Sequence, residues 1–347
     1  MESGGNEMNK RVTIKDVAAK ARVTHPTVSR ALSDSPRVSE ATKKRIRKIA
    51  AQLGYRPNLI ARSLVRKQSR VVAVITPDLN PHVQPILRGV ADACRRSNYA
   101  LMLLSTDYWT EEGLSYMWVL DNWRVDGIII YNVLYQRAAA RDLQRLQCER
   151  VPSVFINKYL HDRKTNNVSV DNFDAVLRAM THLHDLGHRR IGIMNGQAMS
   201  VDGVERFDGF RKALTKLGLP LEKHFVGCGN YSEEQAFEEM TRILCLRPRP
   251  TAMFCANDLM AMGVIRAAQK KGLKVPRDLA VVGFDDIESG QYFSPSLTTL
   301  RPPLRETGER AVALLMSLLE NPRRAPEQIA MKAKLIVRQS SGTLNRP

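Results

Sequence analysis

From residue 71 onward, short apolar runs recur along the chain, and stretches of helical periodicity lie between them. The runs are "VVAVI" at 71–75, "LMLLS", "GIIIY", "SVFIN", "RIGIMN", "AMFCAN" and "LAVVGFDD". Runs this short that lack polar alternation read as strands buried on both faces, with helices supplying the cover. The helical stretches include Ile86 to Ser97, Asp174 to Leu186, Val204 to Leu217 and Leu259 to Lys271. This alternation predicts an α/β fold of parallel sheets, and at least seven strands predict two lobes with a cleft between them. Ligands of such sheets bind at the carboxyl ends of the strands.

Charge separates the first part of the chain from the rest. Of the formal charge of +18, residues 1 to 70 hold +12, from 17 Lys or Arg against 5 Asp or Glu, which leaves +6 for the other 277 residues. A basic block of this kind suits a disordered tail, a membrane surface or a nucleic acid, so local pattern must choose among them. No apolar run approaches the roughly 20 residues that span a bilayer, and no signal-peptide pattern opens the chain. The five cysteines (Cys94, Cys148, Cys228, Cys245 and Cys255) are odd in number and widely spaced, which argues against a disulfide framework and a zinc site. A cytoplasmic location without contact with a membrane is expected.

Residues 1–10 read as a flexible leader. In "VTIKDVAAKARVTHPTVSRAL", Thr13 and Asp16 form a capping-box pattern ahead of a helix carrying Ile14, Val17 and Ala18. Thr24 caps a second helix over His25 to Leu32. Pro26 falls in its first turn, where a missing N–H costs nothing. Val28, Ala31 and Leu32 form the buried face of this helix, leaving His25, Pro26, Ser29 and Arg30 outward. Ser39 caps a third helix with Ile46, Ile49, Ala50 and Leu53 as its stripe and Gly54 just past its end. Three short helices with a tight first turn predict an all-α helix-turn-helix domain over 11–56. A small bundle without DNA contacts has the same pattern, and the concentrated basic charge favours DNA. The next segment, 57–69, begins a short apolar helix after Pro57 that is marginal alone and needs a partner.

At this point "TIKDVAAKA", "TVSRAL", "VSEATKKRI" and "LGYRPNLIARSL" resemble the head and hinge of the LacI/GalR family of bacterial transcription regulators. The resemblance implies DNA contacts from Thr13, Thr24, His25, Pro26, Thr27, Ser29 and Arg30 in the major groove, and from hinge residues Asn58, Ala61 and Leu64. It makes Leu64 the apolar wedge that two paired hinges drive into the minor groove, where unstacking is offset by contact with bent DNA. It also implies a core of periplasmic-binding-protein type over 70–347. Its first lobe covers about 70–168 and 300–326, and its second about 169–299 and 327–347, with crossings near 169, 299 and 326.

The same resemblance places an effector site in the cleft. "ERFDGF" matches the R-x-x-G-F motif and makes Arg206 a clamp on ligand oxygens, for which a planar fork of donors is suited. "CANDLMAMG" points Asn257 into the cleft and gives Asp258 the role of capping the next helix. Asp285 in "VGFDD", Asn157 after "SVFI", Asp171 in "VDNF" and Tyr231 occupy further effector positions. Against these, Asp258 and Asp285 also suit simple helix caps, and Arg206 an ion pair between lobes. Two departures bear on the ligand. "PDLNPHVQP" is one residue shorter than the family's P-D-x-x-N-P-F-F and puts His82 and Val83 where relatives carry an aromatic pair, and Ser200 stands where purine-binding relatives have an arginine. The first departure removes the aromatic pair that stacks on a pyranose in relatives, and the second disfavours a purine. A sugar or sugar derivative is expected, with a non-sugar metabolite or an activator role as the alternative. At the first turn, Arg22 replaces the usual Gly or Asn and should cost about 1 kcal/mol if the left-handed conformation is kept.

No catalytic constellation or cofactor motif is present, so an enzyme is not expected. His182, His184 and His188 in "THLHDLGH" are spaced against a shared metal. A solute-binding receptor would use the same core, yet it would need an export signal and has no use for a helix-turn-helix. The resemblance thus implies a double-stranded DNA operator, a small-molecule effector and a homodimer as partners. The chain ends without an apolar heptad helix that would join dimers into tetramers.

Overall fold

The computed structural model describes residues 12–55, 68–76, 79, 82–105, 124–131, 145–146, 148, 151–157, 165–197 and 200–342. The expected leader and the hinge residues Asn58, Ala61 and Leu64 lie outside this set. Two compact units meet in sequence between Ser69 and Arg70.

The first unit holds α1 (Ile14–Ala21), α2 (His25–Leu32) and α3 (Glu40–Gln52). The Asp16 carboxylate accepts from both the N–H and the hydroxyl of Thr13 at 2.7 Å, fixing the start of α1. Ser39 caps α3 by accepting from the Thr42 N–H. Val17, Val28 and Ile46 are fully buried where the helices meet, with Ala18, Ala21, Ala31 and Ala50 around them. Each large side chain there contributes about 1.5–3 kcal/mol. Small alanines let the helices approach closely, so seven residues suffice for the core of so short a unit. Arg22 ends α1 at φ 50, ψ 47, the left-handed conformation anticipated for a position that favours Gly or Asn. Lys43 is buried by pairing with Asp34 at 3.1 Å and Glu40 at 2.6 Å, which leaves its charge neutralised. Lys44, Arg45, Arg47 and Lys48 on the same helix stay exposed.

The second unit contains two six-stranded sheets. Strands β1 (Val71–Thr76), β2 (Ala100–Ser105), β3 (Gly127–Tyr131), β4 (Ser153–Ile156), β5 (Asn166–Val170) and β11 (Gln328–Met331) form the first, in the order β11-β5-β4-β3-β1-β2. The second has the order β12-β10-β9-β8-β6-β7, from β6 (Ile191–Asn195), β7 (Val226–Cys228), β8 (Ala252–Cys255), β9 (Ala280–Phe284), β10 (Thr298–Arg301) and β12 (Lys334–Ile336). Every pairing is parallel except that of β12 with β10. The central strands β3 and β9 are buried at every residue, as a parallel sheet covered on both faces requires. Helices α4 (Val83–Arg96), α5 (Asn172–Asp185), α6 (Val201–Lys216), α7 (Glu233–Ile243), α8 (Asp258–Lys270), α9 (Glu288–Tyr292) and α10 (Leu304–Glu320) supply that cover.

The chain crosses between lobes three times. The first crossing is at Asp171, between β5 and α5, and the second at Pro302–Pro303, between β10 and α10. The third corrects the expected boundary at 326. Gln328–Met331 still belongs to the first sheet, in parallel register with β5, so the crossing falls at Lys332–Ala333. Ile329 and Met331 pack into the first-lobe core, whereas Ala333 and Leu335 pack into the second. Helices α4 and α10 cross at two glycines. A Cβ on Gly89 would sit 2.0 Å from the Arg305 carbonyl oxygen, and one on Gly308 2.2 Å from that of Ile86.

Candidate functional site

Two surfaces carry the expected chemistry, one in each unit. In the first, α2 buries Val28 and Ala31 and turns its other face to solvent. Thr13, Thr24, His25, Pro26, Ser29 and Arg30 are exposed, and Thr27 is half-buried with its hydroxyl 3.0 Å from that of Thr24. Pro26 lies in the first turn of α2, so no backbone donor is lost to it and the helix start is rigid. The result is a short outward face with the N-terminal end of a helix, a cation at Arg30 and hydroxyls on either side. Such a face matches the phosphates and base edges of a major groove.

In the second unit, the strand ends of both lobes bring together a buried polar cluster. His82 precedes α4, Tyr131 ends β3 and Asn157 follows β4 on the first lobe. Arg206 projects from α6 on the second, and Tyr231, Asn257 and Asp285 follow β7, β8 and β9 there. Asn157, Tyr231 and Asp285 hold left-handed backbone, with φ of 56, 62 and 108. Non-glycine residues pay for such conformations, which concentrate where a side chain must be aimed. Asp171 is different: its carboxylate caps α5 by accepting from the Asp174 N–H at 3.0 Å.

Arg206 is the hub, with 2% of its surface exposed. Its Nε donates to Asn172 Oδ1 at 3.0 Å, Nη1 donates to the Ala256 carbonyl, and the guanidinium lies 3.7 Å from the centre of the Phe284 ring. Nη2 is 3.8 Å from Asp202 and 3.9 Å from Asp285. Burial alone pulls its pKa down, yet these carboxylates more than offset that and raise it. Asn172 passes the arrangement on, donating to Glu205 at 2.8 Å and Asp202 at 3.1 Å. Asn157 donates to Asp202 across the lobes at 3.3 Å. Tyr231 and Ser200 share a hydroxyl hydrogen bond of 2.8 Å, and burial pushes the Tyr231 phenol well up, so it stays protonated.

The capping expectation at "AND" is reversed. Asn257 Oδ1 accepts from the Met260 N–H at 2.9 Å and is itself the cap of α8, while its Nδ2 donates to the Tyr231 carbonyl. Asp258 is buried behind it, accepting from Thr299 Oγ1 at 2.5 Å and from the Ile287 N–H at 2.8 Å. Burial and nearby Asp285 push its pKa far up. It ties the strand end that carries Asp285 to β10. Asn172, Asp202 and Glu205 were missed from sequence, although Asp202 stands four residues before Arg206 on one helix, where opposite charges meet. The histidines of "THLHDLGH" are separated: His182 bonds Ser341 at 2.9 Å and His188 bonds Thr251 at 3.1 Å.

A helix-turn-helix unit preceding a two-lobed α/β core with a buried polar cleft defines the class of DNA-binding regulators that carry a small-molecule site. Comparison with known proteins narrows this. Residues 13–58 match the model of bacterial regulatory proteins of the lacI family, and residues 180–341 match a periplasmic binding protein-like domain. The HTH-type transcriptional repressor CytR of Escherichia coli is 32% identical over 96% of this chain and 97% of its own. PurR of Mannheimia succiniciproducens is 32% identical over 94% and 98%. The lac repressor dimer bound to operator and the anti-inducer ONPF superposes with a TM-score of 0.86 at 28% identity, covering 96% of this chain and 99% of the other. The transcriptional regulator CelR–cellobiose complex gives a TM-score of 0.71 at 27% identity, over 95% of this chain and 100% of that one. The chain belongs to the LacI family and is a DNA-binding transcription regulator with a ligand-binding core.

Proposed function

We propose that this chain is a cytoplasmic repressor that binds a near-palindromic operator as a homodimer and responds to an uncharged, hydroxyl-rich effector, a sugar or sugar derivative, held between the lobes. The observation that carries the effector class is the balance of charge around Arg206. Asp202 and Asp285 already flank its single guanidinium, and Glu205 joins them one step away through Asn172. A phosphate or carboxylate ligand would bring another anion into this set, whereas hydroxyl groups both donate to the carboxylates and accept from the arginine. In this reading Arg206, Asn157, Tyr231, Asn257 and Asp285 contact the effector, His82 borders it, and Asp171 acts through the start of α5. On DNA, Arg30 contacts a guanine or a phosphate, Pro26 and His25 face the bases with Thr13, Thr24, Thr27 and Ser29 beside them, Leu64 wedges open the minor groove, and Asn58 and Ala61 also contact the DNA. Closure of the lobes on the effector shifts the paired hinges between folded and frayed states.

A thermal-shift screen of neutral sugars, sugar acids and nucleosides tests the effector class, since a ligand bound only by the folded state raises the melting temperature. Neutral sugars or their derivatives are expected to give the largest shifts, and a sugar acid at the top of the ranking would refute the assignment. On the DNA side, Leu64→Ala is expected to weaken operator binding in gel-shift titrations while leaving the effector shift in place. Equal operator affinity for variant and parent would remove the wedge.

A further inference from the structure

Among the described residues, side-chain polar contacts of two different kinds join the lobes across the strand ends. Asn157 on the first lobe donates to Asp202 on the second. This is a hydrogen bond from an amide N–H to a carboxylate, in which no imidazole takes part. The other is His82 Nδ1 to Asp285 Oδ1 at 2.9 Å, with 13% and 8% of the two side chains exposed. Among the described residues this is the ion pair that links the two lobes. We propose that His82 and Asp285 form a pH-sensitive clasp between the lobes, closed when the imidazole is protonated and released when it is neutral.

Both partners are fixed from behind. Val83 and Ile86, on the helix that His82 opens, are buried in the first-lobe core. Asp285 holds a left-handed backbone, its N–H donates to the Leu300 carbonyl, and the preceding Phe284 is fully buried. Neither end of the clasp can follow the other without moving its lobe. The charged and titratable groups facing the imidazole, among the described residues, are Asp285 after β9, Arg206 and Asp202 from α6, and Tyr131 at the end of β3, its ring centroid 6.4 Å away. Burial lowers the histidine pKa and Arg206 does likewise, yet Asp285 and Asp202 prevail and raise it above the ordinary value. A histidine whose folded pKa is raised holds its pair fully formed below about 6.5 and loses it as pH climbs through the raised value. The clasp therefore opens on the alkaline side. An aromatic residue at this position, as the LacI/GalR pattern has it, would give a cleft without this dependence.

The test is a distance measurement in the full chain. Exposed Gln84 on α4 and Glu234 on α7 are replaced by spin-labelled cysteines after Cys148, Cys228 and Cys245 are exchanged for serine, and the labelled protein is diluted with unlabelled protein. Pulsed electron resonance at about pH 6 and about pH 9 then reads the populations of short and long interlobe distances. A several-fold fall in the short-distance population at the higher pH is expected in the otherwise native chain, with no change between the two conditions for His82→Gln. Constant populations in the native chain, or an undiminished swing in His82→Gln, would overturn the proposal. Imidazole titration by NMR gives a reading independent of the labels. The His82 value should fall in Asp285→Asn, and an unchanged value would equally refute the pair.

Discussion

Arg206→Ala is expected to destabilise the core by about 3–5 kcal/mol and to abolish the thermal shift produced by any effector that binds the cleft. The reason lies in what remains behind. Asp202 and Asp285, each with its side chain at most 9% exposed, would lose the cation that stands within 3.9 Å of both. Breaking a buried pair costs more than the pair was worth, because the surviving charge keeps its desolvation penalty. Asn172 Oδ1 and the Ala256 carbonyl would lose their donor as well. Lysine is no remedy, since one ammonium cannot reach three acceptors in fork geometry while lying flat on Phe284. Urea unfolding followed by circular dichroism reads the stability, and the sugar panel reads the binding. A variant as stable as the parent that still responds to ligand would remove Arg206 from the centre of the site.

Gly308→Val should cost about 3 kcal/mol, at the upper end of what overpacking a core produces. Its Cβ would stand 2.2 Å from the Ile86 carbonyl oxygen and 2.9 Å from the Val90 nitrogen. These are backbone atoms of α4, so no flexible side chain can yield in their place. Helix α10 must then move off α4, uncovering Val90, Ala311 and Leu315, which are all fully buried. The same urea titration measures it. Unchanged stability would mean that the two helices have room to separate, contrary to the close crossing at Gly89 and Gly308.

What was legible in the sequence follows from how local each signal is. The first unit could be read closely because Thr13, Thr24, Ser39 and Gly54 act within a few residues of themselves. The central strands could be read because burial on both faces leaves an uninterrupted apolar run. The third crossing could not, since "QIAMKAKLIV" holds two strands of different lobes with only Lys332 and Ala333 between them. Apolar periodicity does not say which core a strand joins. In the cleft, Asn157 and Asp285 come from motifs at strand ends and Arg206 from a motif on α6, yet their partners do not. Asn172 reaches Arg206 only through packing of α5 on α6, and His82 meets Asp285 only because the lobes face each other. The exchange of roles between Asn257 and Asp258 has a local cause. Both residues are good caps, and burial against Thr299 claimed the aspartate.

The central claim is that the outward face of α2 reads a particular DNA sequence under the control of the core. The most direct measurement is selection of duplexes from a random pool by the full chain, followed by fluorescence anisotropy of the enriched duplex and a scrambled one over a range of salt concentrations. The expected outcome is a near-palindromic consensus bound on the order of 10³-fold tighter than the scrambled duplex. Loss of that preference in Arg30→Ala is expected with it. Equal affinity for both duplexes at every salt concentration would contradict the account.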